Sequence, residues 1–264
     1  MQKSPLGKTS VFSDKYNPGL LFAIPRKKEL DEHYKDIIFY GYDIWNAYEI
    51  SWLREDGKPE VNIAEIIYSC QSKFIVESKS LKLYLNSFNG TIFQSVDDVK
   101  NTIKQDLSKI LLTEIEAKLI DVASQSIFSH KYESNSIDHH YTTNNMIHIK
   151  CDYNNVVTQE KIHTHLLKSN CPVTAQPDWA TLFIKYSGPK IEYDSLLSYI
   201  ISLRNENEFH EECIERIYKS IYYHCKPSNL EVYGRYNRRG GIDINPFRSS
   251  SKTAIPINGR TLRQ

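Results

Sequence analysis

Two stretches of the chain carry apolar residues at helical spacing, and each is followed by a stretch in which apolar and polar residues alternate. In the first, Val96, Val99, Ile103, Leu107 and Ile110 recur every three or four positions, the period that lines up one face of an α-helix. Ser95 precedes them with Asp98 three residues on, a capping-box pattern. Beyond it, Ile115, Ala117 and Leu119 alternate with Glu114, Glu116 and Lys118, the period of a strand with one wet face. In the second stretch, Cys213, Ile214, Ile217 and Ile221 form the helical stripe and Pro227 closes it. Leu230, Val232, Gly234 and Tyr236 then alternate, as do Leu182, Ile184 and Tyr186 earlier in the chain.

The two stretches belong to a weak internal repeat. Residues 77–88, ESKSLKLYLNSF, lie over residues 192–203, EYDSLLSYIISL, with Glu, Ser, Leu, Tyr and Ser matching at equal offset. One residue of slack then places Phe93 over Phe209. Strand-rich segments with a helix pair in each copy predict an α+β protein, with antiparallel sheets carrying helices on one face. Residues 123–145 are polar and lack a period, so they read as the connection between copies, and the polar tail after Phe247 reads as partly mobile. The expected division is a module over 1–125, a connector over 126–145 and a second module over 146–264.

Composition narrows the classes. With 264 residues and a net charge of +1, the chain has no global pull toward nucleic acid or anionic membrane, so anionic ligands must be met by local clusters. Its five cysteines are widely spaced and contain no CxxC, which fits a reducing compartment better than a disulfide framework. No apolar run reaches membrane-spanning length, and the N-terminal MQKSPLGKTS lacks a signal-peptide core. The expectation is a cytoplasmic protein.

The candidate chemistry centres on Cys171. It stands between Asn170 and Pro172, and Asp178 follows between Pro177 and Trp179. A thiol in a proline-stiffened turn is positioned for a pocket rather than a core, and a carboxylic acid beside an aromatic ring can keep its proton near neutral pH. The pair reads as nucleophile and proton donor; a free loop cysteine and a capping aspartate are the plainer alternative. His210 and Glu211 open the second helix, where a glutamate suits a guanine-like ring because its carboxylate accepts from an N–H and an amino group together. The first copy carries Glu77-Ser78-Lys79 instead, so the copies look complementary, as if one site drew on both. Arg235, Arg238, Arg239, Gly240 and Gly241 form a basic, flexible stretch suited to a cofactor phosphate or to a solvated turn. His163-Thr164-His165 and Asp138-His139-His140 raise a zinc site with Cys171, but spacing places no third ligand, and no metal is expected. Nothing matches GxGxxG or a P-loop.

Four segments together, ESKSLKLYLNSF (77–88), CPVTAQPDWA (171–180), FHEEC (209–213) and RRGGIDINP (238–246), resemble the QueF-type NADPH-dependent 7-cyano-7-deazaguanine reductases. LLFAIPR (20–26) and GYDIWNAYEISWL (41–53) look like the longer, bimodular branch, although Ala23 stands where many relatives have proline. The resemblance implies the tunnelling fold (T-fold), two ferredoxin-like modules in tandem, and a homodimer. It implies four-electron reduction of a nitrile to a primary amine in queuosine biosynthesis for transfer RNA, with NADPH as cofactor and neither nucleic acid nor membrane as direct partner. It places Cys171 as the nucleophile that forms a thioimide, Asp178 as proton donor and His210 as a second relay. Val76, Glu77, Ser78, His210 and Glu211 match the family's substrate positions, and Ser78, Lys79, Arg239 and Gly240 its NADPH positions. A reversible Cys171–Cys213 disulfide that shields the nucleophile is a further expectation. The competing expectations are a zinc-dependent cyclohydrolase-like hydrolase of the same fold class and a noncatalytic nucleobase- or RNA-binding module.

Overall fold

The computed structural model describes residues 13–26, 31–124, 132–142 and 148–264. The expected module boundaries at 125/126 and 145/146 and the N-terminal MQKSPLGKTS lie outside those residues. The chain divides into two units: Met1–Arg26, Ile44–Ile127 and Arg238–Asp243 form one, and Lys27–Asp43, Phe128–Asn237 and Ile244–Gln264 the other.

The first unit contains the short strand β1 (Ala23–Pro25), most of β2 (Tyr40–Leu53), β3 (Pro59–Ser69), β4 (Phe74–Val76), α1 (Ser78–Asn86), α2 (Val96–Leu111) and β5 (Ile115–Asp121). β1 and β4 pair antiparallel, and β5, β3 and β2 follow one another across a sheet. Antiparallel β3 and β5 register from Asn62 opposite Asp121 to Tyr68 opposite Ile115. The helical stripe forms as spaced: Val99, Ile103 and Leu107 are buried, and Ser95 caps the helix with its Oγ 3.1 Å from the Asp98 amide. The stripe ends on Leu111 rather than Ile110, because the last turn rotates Leu111 into the core. On β5 the buried residues are Ile115 and Ile120, with Ala117 and Leu119 only half-buried.

The second unit holds β6 (Asn135–Ser136), β7 (Cys151–Asn170), β8 (Pro177–Ile191), α3 (Tyr193–Ser202), α4 (His210–Cys225), β9 (Asn229–Tyr236) and most of β10 (Ile242–Ser249). Its strands run in the order β10, β9, β8, β7, β6. All pairs are antiparallel except β6 with β7, which is parallel and two residues long. Leu182, Ile184 and Tyr186 of β8 and Leu230, Val232 and Tyr236 of β9 pack with Cys213, Ile214, Ile217 and Ile221 of α4 in a single core. Gly234 makes that packing possible, since a Cβ there would lie 2.6 Å from Ile214 Cδ1.

The repeat is real at the level of elements. Both 77–88 and 192–203 contain the first helix of a pair, preceded by Glu77 and Glu192 at the N-cap. The described part of the connector is packed: Ile137 enters the core, and Asp138 Oδ1 accepts from Thr164 Oγ1 at 2.5 Å. The expectation of a partly mobile tail fails. The tail is anchored, because Gln264 accepts from Arg235 Nε at 3.0 Å and donates to Tyr236 O at 3.0 Å and Asn245 Oδ1 at 2.7 Å. A polar segment without period is still fixed when its polar groups satisfy buried partners. No helix among the described residues is long and apolar enough to cross a membrane.

Candidate active site

Cys171 begins the six-residue loop between β7 and β8, whose last cross-strand pair is Asn170 with Pro177. The loop closes on itself: the Cys171 amide donates to Gln176 O at 2.8 Å and the Ala175 amide to Cys171 O at 3.0 Å. Ala175 takes a left-handed φ of 52° to complete the turn. The segment before α4 is sewn to the same place. The Asn170 amide donates to Glu206 O at 2.8 Å, and the Glu208 amide to Asn170 O at 3.1 Å. The start of α4 is thereby brought beside the base of the cysteine loop. The thiol itself is half-buried.

Asp178, the second residue of β8, pairs with Ser169 and lies close to the loop base. Its Oδ2 is 3.2 Å from Nε2 of His210, the first residue of α4, and both side chains are largely buried at 10% and 17% exposure. The His210 ring stacks on Tyr236 at the end of β9, with centroids 3.9 Å apart and planes tilted by 30°. Glu211, next on the helix, is buried. The second unit therefore brings together Cys171, Asp178, His210 and Glu211 from three elements at one end of its sheet. Sequence reading named all four but not Tyr236 as the platform beneath the imidazole; the alternation along β9 placed Tyr236 only as a core residue.

Cys213 lies one helical turn below His210 and is fully buried. Burial, then the neighbouring Glu208, push its thiol well above the ordinary range. The carboxyl of Glu208 is raised too, by burial against the opposing pull of Arg216 at 3.1 Å. All five cysteines are free thiols.

The remaining expected residues lie in the first unit. Val76 ends β4 and is buried. Glu77 is the N-cap of α1: its two carboxylate oxygens accept from the Lys79 amide at 3.0 Å and the Ser80 amide at 2.8 Å. That bonding holds a carboxylate at a helix N-terminus, where the backbone favours negative charge. Ser78 is exposed and Lys79 half-exposed on the first turn.

Arg239 and Gly240 sit in a tight hairpin ahead of β10, closed by the Arg239 amide to Ile242 O at 2.8 Å and the reverse bond at 3.2 Å. Its two central residues, Gly240 and Gly241, have φ of 60° and 83°, left-handed values that favour glycine. A Cβ on Gly240 would fall 2.7 Å from Lys82 Nζ. Lys82 and Gly240 share a half-open groove of ≈ 320 Å³ with Ala47, Glu49, Leu85, Asn86, Gly241 and Ile242. Lys82 escaped the sequence reading although it lies inside 77–88; it stands one helical turn after Lys79, a spacing that could have flagged it. A bare backbone edge beside two exposed cations, Lys82 and Arg239, suits the phosphates of a dinucleotide. Arg235 does not belong with them. It is fully buried, donating to Tyr233 Oη and Asn258 Oδ1, each at 2.6 Å. It lies on β9 on the face opposite Leu230, Val232 and Tyr236, where Asn258 and Gln264 cover it.

The histidine motifs serve the fold. His163 Nδ1 bonds Ser134 Oγ at 2.8 Å, and His165 Nδ1 bonds Thr181 Oγ1 at 3.0 Å. Among the described residues no three histidine, cysteine, aspartate or glutamate side chains converge in a way that would hold a metal ion.

A thiol loop beside a largely buried carboxyl–imidazole pair, with a second buried carboxyl group next on the helix, fits the site of an enzyme. Comparison with known proteins narrows it. The family described as "Nitrile reductase, 7-cyano-7-deazaguanine-reductase N-term" matches residues 12–119, and the family described as "QueF-like protein" matches residues 177–254. The chain is 46% identical to the NADPH-dependent 7-cyano-7-deazaguanine reductase of Legionella pneumophila (strain Lens), over 99% of this chain and 95% of the relative. It is 44% identical to the protein of the same name from Coxiella burnetii (strain CbuK_Q154), over 100% and 97%. A solved structure of the archaeosine synthase QueF-Like in the apo form aligns at 17% identity and a TM-score of 0.32, over 38% of this chain and 95% of that one, too slight a likeness to bear on the fold. The chain belongs to the NADPH-dependent 7-cyano-7-deazaguanine reductases, in their long, two-domain form.

Proposed function

We propose that Cys171 is the nucleophile with which this NADPH-dependent oxidoreductase of queuosine biosynthesis reduces the nitrile of 7-cyano-7-deazaguanine to the aminomethyl group. The observation that carries the reading is the Asp178–His210 pair, 3.2 Å apart and largely buried, beside the loop that presents the thiol. A nitrile carbon accepts hydride poorly. Addition of the Cys171 sulfur to it forms a C–S bond and opens one C–N π bond, leaving a thioimide whose carbon is a better acceptor. The nitrogen takes up a proton as sulfur adds, and Asp178 is the donor, with His210 restoring that proton from its other side. When bound, NADPH supplies one hydride in each of two rounds, four electrons in all. Between the rounds the C–S bond breaks, sulfur departs with its electron pair, and an imine remains for the second round.

Glu211 accepts from the ring N–H and amino group of the deazaguanine; Val76, Glu77 and Ser78 are substrate residues by their match to the family's positions. The residues of the first unit fit the cofactor: Lys79, Lys82 and Arg239 provide cations, and the Gly240 turn provides backbone without a side chain in the way. The reading extends to tandem T-fold modules, a homodimer and a cytoplasmic location. An absorbance assay of NADPH consumption with the cyano-deazaguanine tests it: the parent protein consumes two NADPH per nitrile and Cys171→Ala none. Consumption by Cys171→Ala at the parent rate would remove the sulfur from the reaction.

A further inference from the structure

The glycine turn at 239–242 is held from one stretch of β2, centred on Tyr48 and far from it in sequence. Two successive glycines with positive φ give a turn whose unfolded alternatives are many, so its native shape needs external restraint. Tyr48 of β2 touches the turn segment in three ways. Its backbone amide donates to Gly241 O at 2.9 Å. Its ring lies beneath the Arg238 guanidinium, 5.0 Å from the ring centroid. Its hydroxyl donates to Asp243 Oδ2 at 2.5 Å, just past the turn. Asp243 is buried, and its other oxygen accepts from Asn46 Nδ2 at 2.8 Å. Glu49, one residue on from Tyr48, stands 3.5 Å from Arg238. The turn is thus bracketed, with Arg238 before it and Asp243 after it, by one stretch of β2, residues 46–49.

We propose that Tyr48, through Asp243, is a positioning residue for cofactor binding: it pre-forms the Arg239–Gly240 turn so that NADPH meets an ordered backbone. The proposal rests on the reading that this turn takes the cofactor phosphate. Ordering the turn in advance removes an entropic cost from binding, so losing the clamp weakens cofactor affinity without altering bond-making at the nitrile. The Tyr48 hydroxyl donates to a buried carboxylate, a bond of the stronger charged kind.

The test uses Tyr48→Phe, which deletes the hydroxyl and keeps the ring and backbone contacts, with Arg239→Ala as reference. We expect Tyr48→Phe to raise the KM for NADPH about tenfold, the effect of one hydrogen bond to a charged group. We expect kcat, and the rate of the NADPH-independent Cys171–nitrile adduct, to stay at the parent values. A purely structural role would slow adduct formation as well. In the double variant the two effects do not multiply, because Tyr48 acts through the turn that Arg239 occupies. An unchanged KM for NADPH in Tyr48→Phe, with a raised one in Arg239→Ala, overturns the clamp. An unchanged KM in Arg239→Ala itself overturns the cofactor assignment instead. Independent, multiplying effects of the two substitutions also refute the clamp.

Discussion

Replacing Asp178 with asparagine isolates the proton from everything else the residue does. The side chain is 10% exposed and meets His210 Nε2 at 3.2 Å. Asparagine has the same size, keeps an oxygen to face the imidazole, and cannot give up a proton at the nitrile. The loss is therefore confined to general-acid catalysis, which contributes about 10²–10⁴-fold in rate, or about 3–5 kcal/mol of barrier. The fold loses only the charge that faces the imidazole, about 1 kcal/mol of stability. The assay mixes enzyme with the cyano-deazaguanine in the absence of NADPH, quenches at intervals and follows the adduct by intact-protein mass. Asp178→Asn should form the same adduct at least about 10² times more slowly, with a urea midpoint close to the parent. A rate within about threefold of the parent would show that the proton comes from elsewhere, since general acids of this kind contribute far more. A large drop in the midpoint would show that Asp178 is held for the fold.

Two further expectations concern residues outside the chemistry. Arg235→Ala strands Tyr233, Asn258 and Gln264 around a vacated buried site and should cost about 3 kcal/mol or more, whereas exposed Arg239→Ala should cost about 0.5 or less; equal urea midpoints for the two would contradict the distinction. His224 is held below its ordinary value of 6.5 by burial and then by His148, whose ring lies 5.2 Å away. Its neutral form is favoured in the fold, so the stability it contributes is present above 6.5 and is lost as the pH falls below it. His148→Gln should move the His224 titration, followed by NMR, up toward 6.5 while burial keeps it below; an unmoved titration would show that the two rings do not interact.

The elements were legible where side-chain period is strong. Leu182, Ile184 and Tyr186 and the stripe from Cys213 to Ile221 were read correctly because each buries one face against the other. The Cys171 loop was legible through its prolines, and the α4 start through His210 and Glu211. What sequence hides is pairing over distance. Nothing local tells that His210 meets Asp178, 32 positions earlier, or that Tyr48 grips a turn near 240. Arg235 was misread because composition groups it with Arg238 and Arg239, while Asn258 and Gln264, far along the chain, cover its face of β9 and bury it. The tail was misread for the same reason: polar segments reveal order only through partners elsewhere in the chain.

The central claim is a bond between the sulfur of Cys171 and the nitrile carbon. Incubating the full-length protein with the cyano-deazaguanine alone and weighing it intact should show a gain equal to the whole mass of the nitrile, with nothing expelled, mapped by peptide digestion to Cys171 and absent from Cys171→Ala. An adduct that survives in Cys171→Ala, or NADPH oxidation by a parent protein that never gains that mass, would contradict it.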